Sequence, residues 1–70
     1  MNELKIKDVQ LIDQKKGRKI IVRIKEGNIV HKVTIEPCYE SWQQYGAPQE
    51  VLKRTVPIAE KYNDWLHGID

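Results

Sequence analysis

The chain has 70 residues, of which 40% are hydrophobic and 31% are charged, and its formal net charge is +2 at pH 7. This length allows one small domain, and the frequent Ile, Val and Leu together with nearly balanced charge exclude a disordered chain. No apolar run approaches the roughly 18 residues of a membrane span. The single cysteine excludes a disulfide-stapled scaffold.

Lysines and acids separate the apolar residues among the first eight positions. This pattern lacks the apolar core of a signal peptide, and a lone thiol is typical of a reducing compartment. We therefore expect a cytoplasmic protein that does not engage a membrane.

The first predicted strand covers residues 4–12. Leu4 and Ile6 alternate with lysines, whereas after Asp8 the apolar residues are odd-numbered. A one-residue change of phase within a strand indicates a β-bulge, which we place near Asp8. The polar segment 13–17 predicts the turn that follows.

Two further strands, 18–26 and 29–36, flank the dipeptide Gly27-Asn28. Two turn residues between β-rich runs predict a two-residue hairpin turn. The register that this turn imposes places Val22 opposite Val33 on one face and Arg23 opposite Lys32 on the other. On the first face the same register pairs Ile20 with Ile35 and Ile24 with His31. The turn and the apolar alternation therefore agree.

The second half of the chain is helix-like. Pro37 is expected to end the third strand, because proline has no N–H for a ladder. Residues 38–46 are ambiguous and fit a short helical turn, and Pro48 opens a helix. Pro57 then favours two segments, 48–55 and 56–67, with Thr55 as the N-cap of the second. Apolar residues in and just after the second segment recur at spacings of three and four: Ile58, Tyr62, Trp65, Leu66 and Ile69.

These elements predict an α+β fold, a three-stranded antiparallel β-meander packed on one face by one or two C-terminal helices. The single domain 1–70 consists of a sheet over 1–36, a connector over 37–47 and a helical part over 48–67. The predicted core is Leu4, Ile6, Ile20, Val22, Ile24, Val33, Ile35, Leu52, Ile58, Tyr62, Trp65 and Leu66.

Residues with catalytic or metal-binding chemistry are few. Cys38 lies between Glu36 and Glu40, and neighbouring carboxylates disfavour the reactive thiolate. His31 and His67 suit structural roles, and with one cysteine they do not supply the ligands of a zinc site. Every glycine is isolated, so no phosphate-binding loop is present. We therefore expect no catalytic residues, no metal and no cofactor, and hence no enzyme.

The connector contains three aromatic residues, Tyr39, Trp42 and Tyr45. Trp and Tyr are enriched as anchors of protein interfaces, although they also serve to complete a small core. On a helical turn Trp42 and Tyr45 share one face. We expect a small protein-interaction module, a regulator or inhibitor acting by docking. Its partner is another protein, or a second copy bound through the edge strands.

The charge distribution supports an alternative function. Residues 1–35 hold nine basic and four acidic side chains, and residues 36–70 hold three and six. An excess of cations on the uncovered side of the sheet is compatible with DNA binding, and equally with solvated lysines that block edge pairing. No aromatic residue is expected on this side for base stacking. The candidate nucleic-acid-binding residues are Lys5, Lys7, Lys19, Arg23, Lys25 and Lys32.

Overall fold

A four-stranded antiparallel sheet followed by two helices makes up the computed structural model, which describes residues 3–69. The predicted α+β class is confirmed, but the sheet has four strands rather than three. The strand order β1-β2-β3-β4 follows the sequence. The elements are β1 Leu4–Gln14, β2 Gly17–Glu26, β3 Ile29–Cys38, β4 Ser41–Tyr45, α1 Gln49–Lys61 and α2 Asn63–Leu66.

The predicted bulge in β1 is confirmed. Ile6 lies opposite Ile24 and Asp8 lies opposite Arg23, so Lys7 is the extra residue between them. The strand runs two residues beyond its predicted end, because Gln14 still pairs with Gly17. The turn between β1 and β2 is therefore only two residues long.

The register predicted for β2 and β3 is also confirmed. Val22 faces Val33 and Arg23 faces Lys32, with Ile20–Ile35 and Ile24–His31 as further pairs. At the turn, Gly27 has a φ of 60°. Asn28, the second central residue, does not share this positive φ, so the turn is of type II′, which matches the right-handed twist of the strands.

The segment 38–46 corrects the prediction of a helical turn. Residues 39 and 40 form a two-residue turn, and β4 then pairs with β3, with Pro37 opposite Trp42. The ladder between β2 and β3 stops at Ile35, so Pro37 lies where β3 borders β4 alone, and proline does not end the strand there. At Gly46, just after β4, φ is 104° and an added Cβ would lie 2.6 Å from the backbone oxygen of Lys32.

The helical part also differs from the prediction. α1 continues through Pro57 and ends at Lys61, so the break falls six residues later than expected. Thr55 is not an N-cap: it is buried inside the helix, and its hydroxyl donates to the carbonyl of Leu52 at 2.9 Å. Proline removes one helical N–H, and the packing of the buried face of α1 on the sheet holds the helix together across that gap.

The core lies between the sheet and the helices. The predicted core residues of β2 and β3 are buried, together with Leu66, and Ile21 is buried on the other face without having been predicted in the core. Ile6 was expected in the core and is half-exposed, whereas Val51 and Ala59 are buried and were not expected. These two residues share a stripe with Thr55 at four-residue spacing, which the predicted break at Pro57 concealed. The other predicted core residues are only partly buried against it: Leu4, Leu52, Ile58, Tyr62 and Trp65.

The helices lie over three of the four strands. α1 packs mainly on β3 and β4, and α2 packs on β2 and β3. α2 is held to the start of β2 by Arg18, which donates to the Trp65 carbonyl at 2.8 Å and lies 5.0 Å from the centre of its ring. Within residues 3–69, no helix has the length and apolar character needed to cross a membrane.

Candidate functional site

An exposed apolar row runs along β1 on the side of the sheet that carries the helices. We call it the β1 row; it consists of Ile6, Val9 and Leu11. Each member lies directly opposite a fully buried β2 residue: Ile24, Val22 and Ile20 respectively. The β1 residues are nevertheless 50%, 39% and 44% exposed. The β1 row is therefore an uncovered continuation of the core.

The width of the helical layer explains this exposure. Neighbouring strands are about 4.8 Å apart, so four strands span roughly 14 Å between the outer axes, whereas a single helix is about 10 Å wide. Because α1 and α2 follow one another along the chain, the layer covers β2 to β4 and leaves β1 in solvent. The alternation in the sequence correctly predicts the face of Ile6, but it does not predict which strands the helices reach.

β1 also presents an unpaired backbone edge. In the described part of the chain β2 is its only neighbouring strand, and β1 is 11 residues long. The bulge after Ile6 interrupts the strand, so the regular stretch is 8–14. Bulges and lysines at an edge limit open-ended strand pairing, and the remaining stretch is long enough to pair with one further strand.

The three connector aromatics are not brought together. Tyr39 is in the turn between β3 and β4, 96% exposed, with a φ of 54°. Trp42 packs against the core on the helix side, opposite Pro37. Tyr45 is three residues further along a strand, so it lies on the opposite face. The expectation that Trp42 and Tyr45 share a helical face is thus wrong, because the segment is a strand.

Tyr45 places an aromatic ring on the uncovered face of the sheet, where the sequence predicted none. Its hydroxyl donates to a carboxylate oxygen of Glu36 at 3.0 Å. This hydrogen bond, and to a lesser extent burial and the charge of Glu36, raises the pKa of Tyr45 above its usual value of 10.0. Across the strands Tyr45 lies opposite Thr34, and its strand β4 is the outer strand at the far side of the sheet from β1.

The uncovered face carries a group of cations near the Gly27-Asn28 turn. We call it the basic cluster, and all of its side chains are exposed. Lys5 lies directly opposite Lys25, and Arg23 opposite Lys32, so like charges face each other in two adjacent rows. Lys19 is half-buried towards the other end of β2 and does not belong to the cluster. The members are Lys5, Lys7, Arg23, Lys25 and Lys32.

One carboxylate lies within the basic cluster. Arg23 donates to both oxygens of Asp8, from Nε at 3.1 Å and from a terminal nitrogen at 2.5 Å. This two-point contact lowers the pKa of Asp8 below its usual value of 3.8, and Lys7 contributes in the same direction. Among residues 3–69 no ion pair involves the four lysines of the cluster. The basic cluster therefore retains a positive excess.

The residues considered for catalysis lie apart from one another. Nε2 of His31 is 3.0 Å from a carboxylate oxygen of Glu26. His67 contacts two carbonyl oxygens, that of Asn63 through Nδ1 at 2.8 Å and that of Tyr39 through Nε2 at 2.9 Å. It thereby ties the end of α2 to the turn before β4. In the part of the chain that the structure describes, no three His, Cys, Asp or Glu side chains gather as metal ligands would.

Comparison with known proteins gives no family for this chain. No family model matches it, and neither a curated protein nor a solved structure does. Two surfaces described above are therefore the features that bear on function: the β1 row and the basic cluster, which lie on opposite faces of the sheet.

Proposed function

We propose that the protein is a small non-enzymatic protein-interaction module that docks through the edge of β1. The observation that carries this proposal is the exposure of the β1 row beside an unpaired strand edge. Covering apolar surface contributes about 25 cal/mol per Å². A strand added to this edge would bury the row and satisfy the free backbone groups of β1 at the same time.

The occupant that we propose for this edge is a second copy of the chain. Gln14 and Gly17 flank a two-residue turn and form a hydrogen-bonded pair. In an antiparallel ladder, the N–H and C=O groups of successive residues point alternately towards and away from the neighbouring strand. The backbone groups of residues 9, 11 and 13 therefore point away from β2, towards the free edge. Two β1 strands related by a two-fold axis at Gln10 would pair Val9 with Leu11 of the second copy, and Leu11 with its Val9. The two β1 rows then join into one apolar strip.

Analytical ultracentrifugation over a wide concentration range tests this proposal. We expect the unmodified chain to be a dimer and Leu11→Lys to be a folded monomer by circular dichroism. The matched control is Val30→Lys, because Val30 is an exposed apolar residue of β3, far from the β1 edge. An unmodified chain that stays monomeric at every concentration would rule out the second copy as the occupant.

A crosslink tests the register itself. In a Cys38→Ser background, Gln10→Cys places two thiols directly opposite each other at the proposed two-fold axis, within the Cβ separation that a disulfide needs. Mild oxidation should give a covalent dimer. Gln43→Cys on β4, in the same background, is the control that should stay monomeric on a denaturing gel.

A further inference from the structure

The basic cluster is not used by docking at the β1 edge, and it lies on the other face of the sheet. We infer that it is a separate binding site for the phosphate backbone of duplex DNA. This inference rests on the placement and the pairing of the cations, and it does not depend on the identity of the partner at β1.

The first argument is the arrangement of the cations. The pairs Lys5–Lys25 and Arg23–Lys32 form two adjacent cross-strand rows, and Lys7 lies at the bulge beside them. Strands are about 4.8 Å apart, and alternate residues of one strand are about 6.8 Å apart. Five exposed positive charges therefore occupy a patch roughly 10 Å across. Duplex DNA carries one negative charge per about 1.7 Å of its axis, so a patch of this size meets several phosphates.

The second argument is that the chain does not neutralise this charge. Like charges directly opposite each other in a sheet are destabilising, and here two such pairs are neighbours. Asp8 is the one carboxylate in contact with the cluster among the described residues, and Arg23 binds it. The helical layer on the opposite side is balanced, because 49–66 contain three basic and three acidic residues. The helical layer thus carries no matching excess of positive charge.

The surroundings of the cluster favour nucleic acid over an acidic membrane or an acidic protein segment. In the neighbouring row Ile21 and Thr34 are buried, and the exposed groups are the side-chain amide of Gln10 and the ring of Tyr45; polar groups of these kinds contact sugar and phosphate. Val30 is the one exposed large apolar side chain in the two cationic rows, so the patch has little that would insert into a lipid surface. An open sheet face is also a surface that some DNA-binding proteins use, because they place their strands against duplex DNA.

The cluster contains no free guanidinium to recognise bases. Arg23 uses its Nε and one terminal nitrogen to bind the carboxylate of Asp8. The remaining cations are lysines, which act as point charges. Contacts of lysines with phosphates position a protein on DNA but carry no sequence information. We therefore expect binding that is independent of base sequence and steeply dependent on salt.

The test is fluorescence anisotropy with a labelled 20-base-pair duplex between 50 and 200 mM salt. Each phosphate contact adds about 0.9 to the slope of log K against log salt, so the four free lysines predict a slope near −3.6. The double variant Lys25→Gln with Lys32→Gln should reduce the slope by about 1.8 and weaken binding roughly 100-fold at 50 mM. A duplex of unrelated sequence should bind equally well.

The matched control is Lys53→Gln with Arg54→Gln, which removes the same charge from the exposed side of α1. It should leave the affinity and the slope unchanged within about twofold. Equal losses in both double variants would show an effect of net charge alone and overturn the site. So would undetectable binding of the unmodified chain at 50 mM salt. Tighter binding to polyglutamate or to vesicles containing phosphatidylserine would assign the surface to another class of partner.

Discussion

The strands β1 and β2 have the same apolar alternation and different surroundings. Ile6, Val9 and Leu11 of β1 face the same side as their β2 partners, yet only the β2 residues are fully buried. Alternation therefore specifies which way a side chain points, and the width of the covering layer specifies whether water is excluded. In a domain of this size, one helix after another along the chain leaves an outer strand uncovered, and that strand is the surface that we propose for docking.

The largest expected effect comes from comparing Ile24 with its neighbour Ile6. Ile24→Ala should lower the free energy of unfolding by about 2–5 kcal/mol, because it removes buried methyl groups and leaves a cavity. Ile6→Ala, on the same face and directly opposite, should lower it by about 1 kcal/mol or less, because the side chain is half in water. Urea denaturation at low protein concentration measures both. Similar losses would show that β1 is covered after all.

A second comparison uses the two faces of β4. Gln44 lies on the helix side, and its amide donates to the carbonyl of Leu52 at 2.9 Å and to the hydroxyl of Thr55. Gln44→Ala should cost about 1–3 kcal/mol, since it removes the only donor that reaches α1 from this strand among the described residues. Gln43→Ala on the open face loses one exposed contact with Glu36, so its urea midpoint should barely change. Equal shifts for the two variants would contradict the importance of the covered face.

The smallest effect is a pH dependence on the open face. Arg23 lowers the pKa of Asp8, so this contact stabilises the fold above the usual pKa of 3.8 and is lost as the pH falls through the lowered value. The difference in urea midpoint between the unmodified chain and Asp8→Asn should be constant above about pH 5 and shrink towards pH 2. A difference that persists unchanged at low pH would mean that the carboxylate is not the source of the stability.

The sequence predicts the β2–β3 hairpin well because two independent signals coincide there. Gly27 supplies the positive φ of the turn, and the alternation on both strands selects the same register. At the β3–β4 turn the sequence offers neither a glycine for the positive φ nor a clear apolar alternation on both strands. Tyr39 adopts a positive φ without being glycine or asparagine, and β4 is only five residues long. Because β4 was not recognised in the sequence, the face on which Tyr45 lies was not predicted either.

Pro57 shows a second limit of local signals. Proline disfavours a helix interior, and the sequence therefore predicted a break before it. In the structure the buried stripe of Val51, Thr55 and Ala59 continues on both sides of Pro57. Tertiary packing thus outweighs the local preference, and the stripe becomes evident only when 49–61 are treated as one helix.

The sequential strand order also shapes the route by which the chain reaches its fold. Each of the three turns in the sheet has two residues, so every strand meets its neighbour after closing a very short loop. Short loops lose little entropy on closing, and chains rich in local contacts fold quickly. The hydrogen bond from Arg18 to the Trp65 carbonyl, by contrast, spans 47 residues. The meander can therefore form from its own hairpins, and the docking of α2 onto the start of β2 is the step that requires the whole chain.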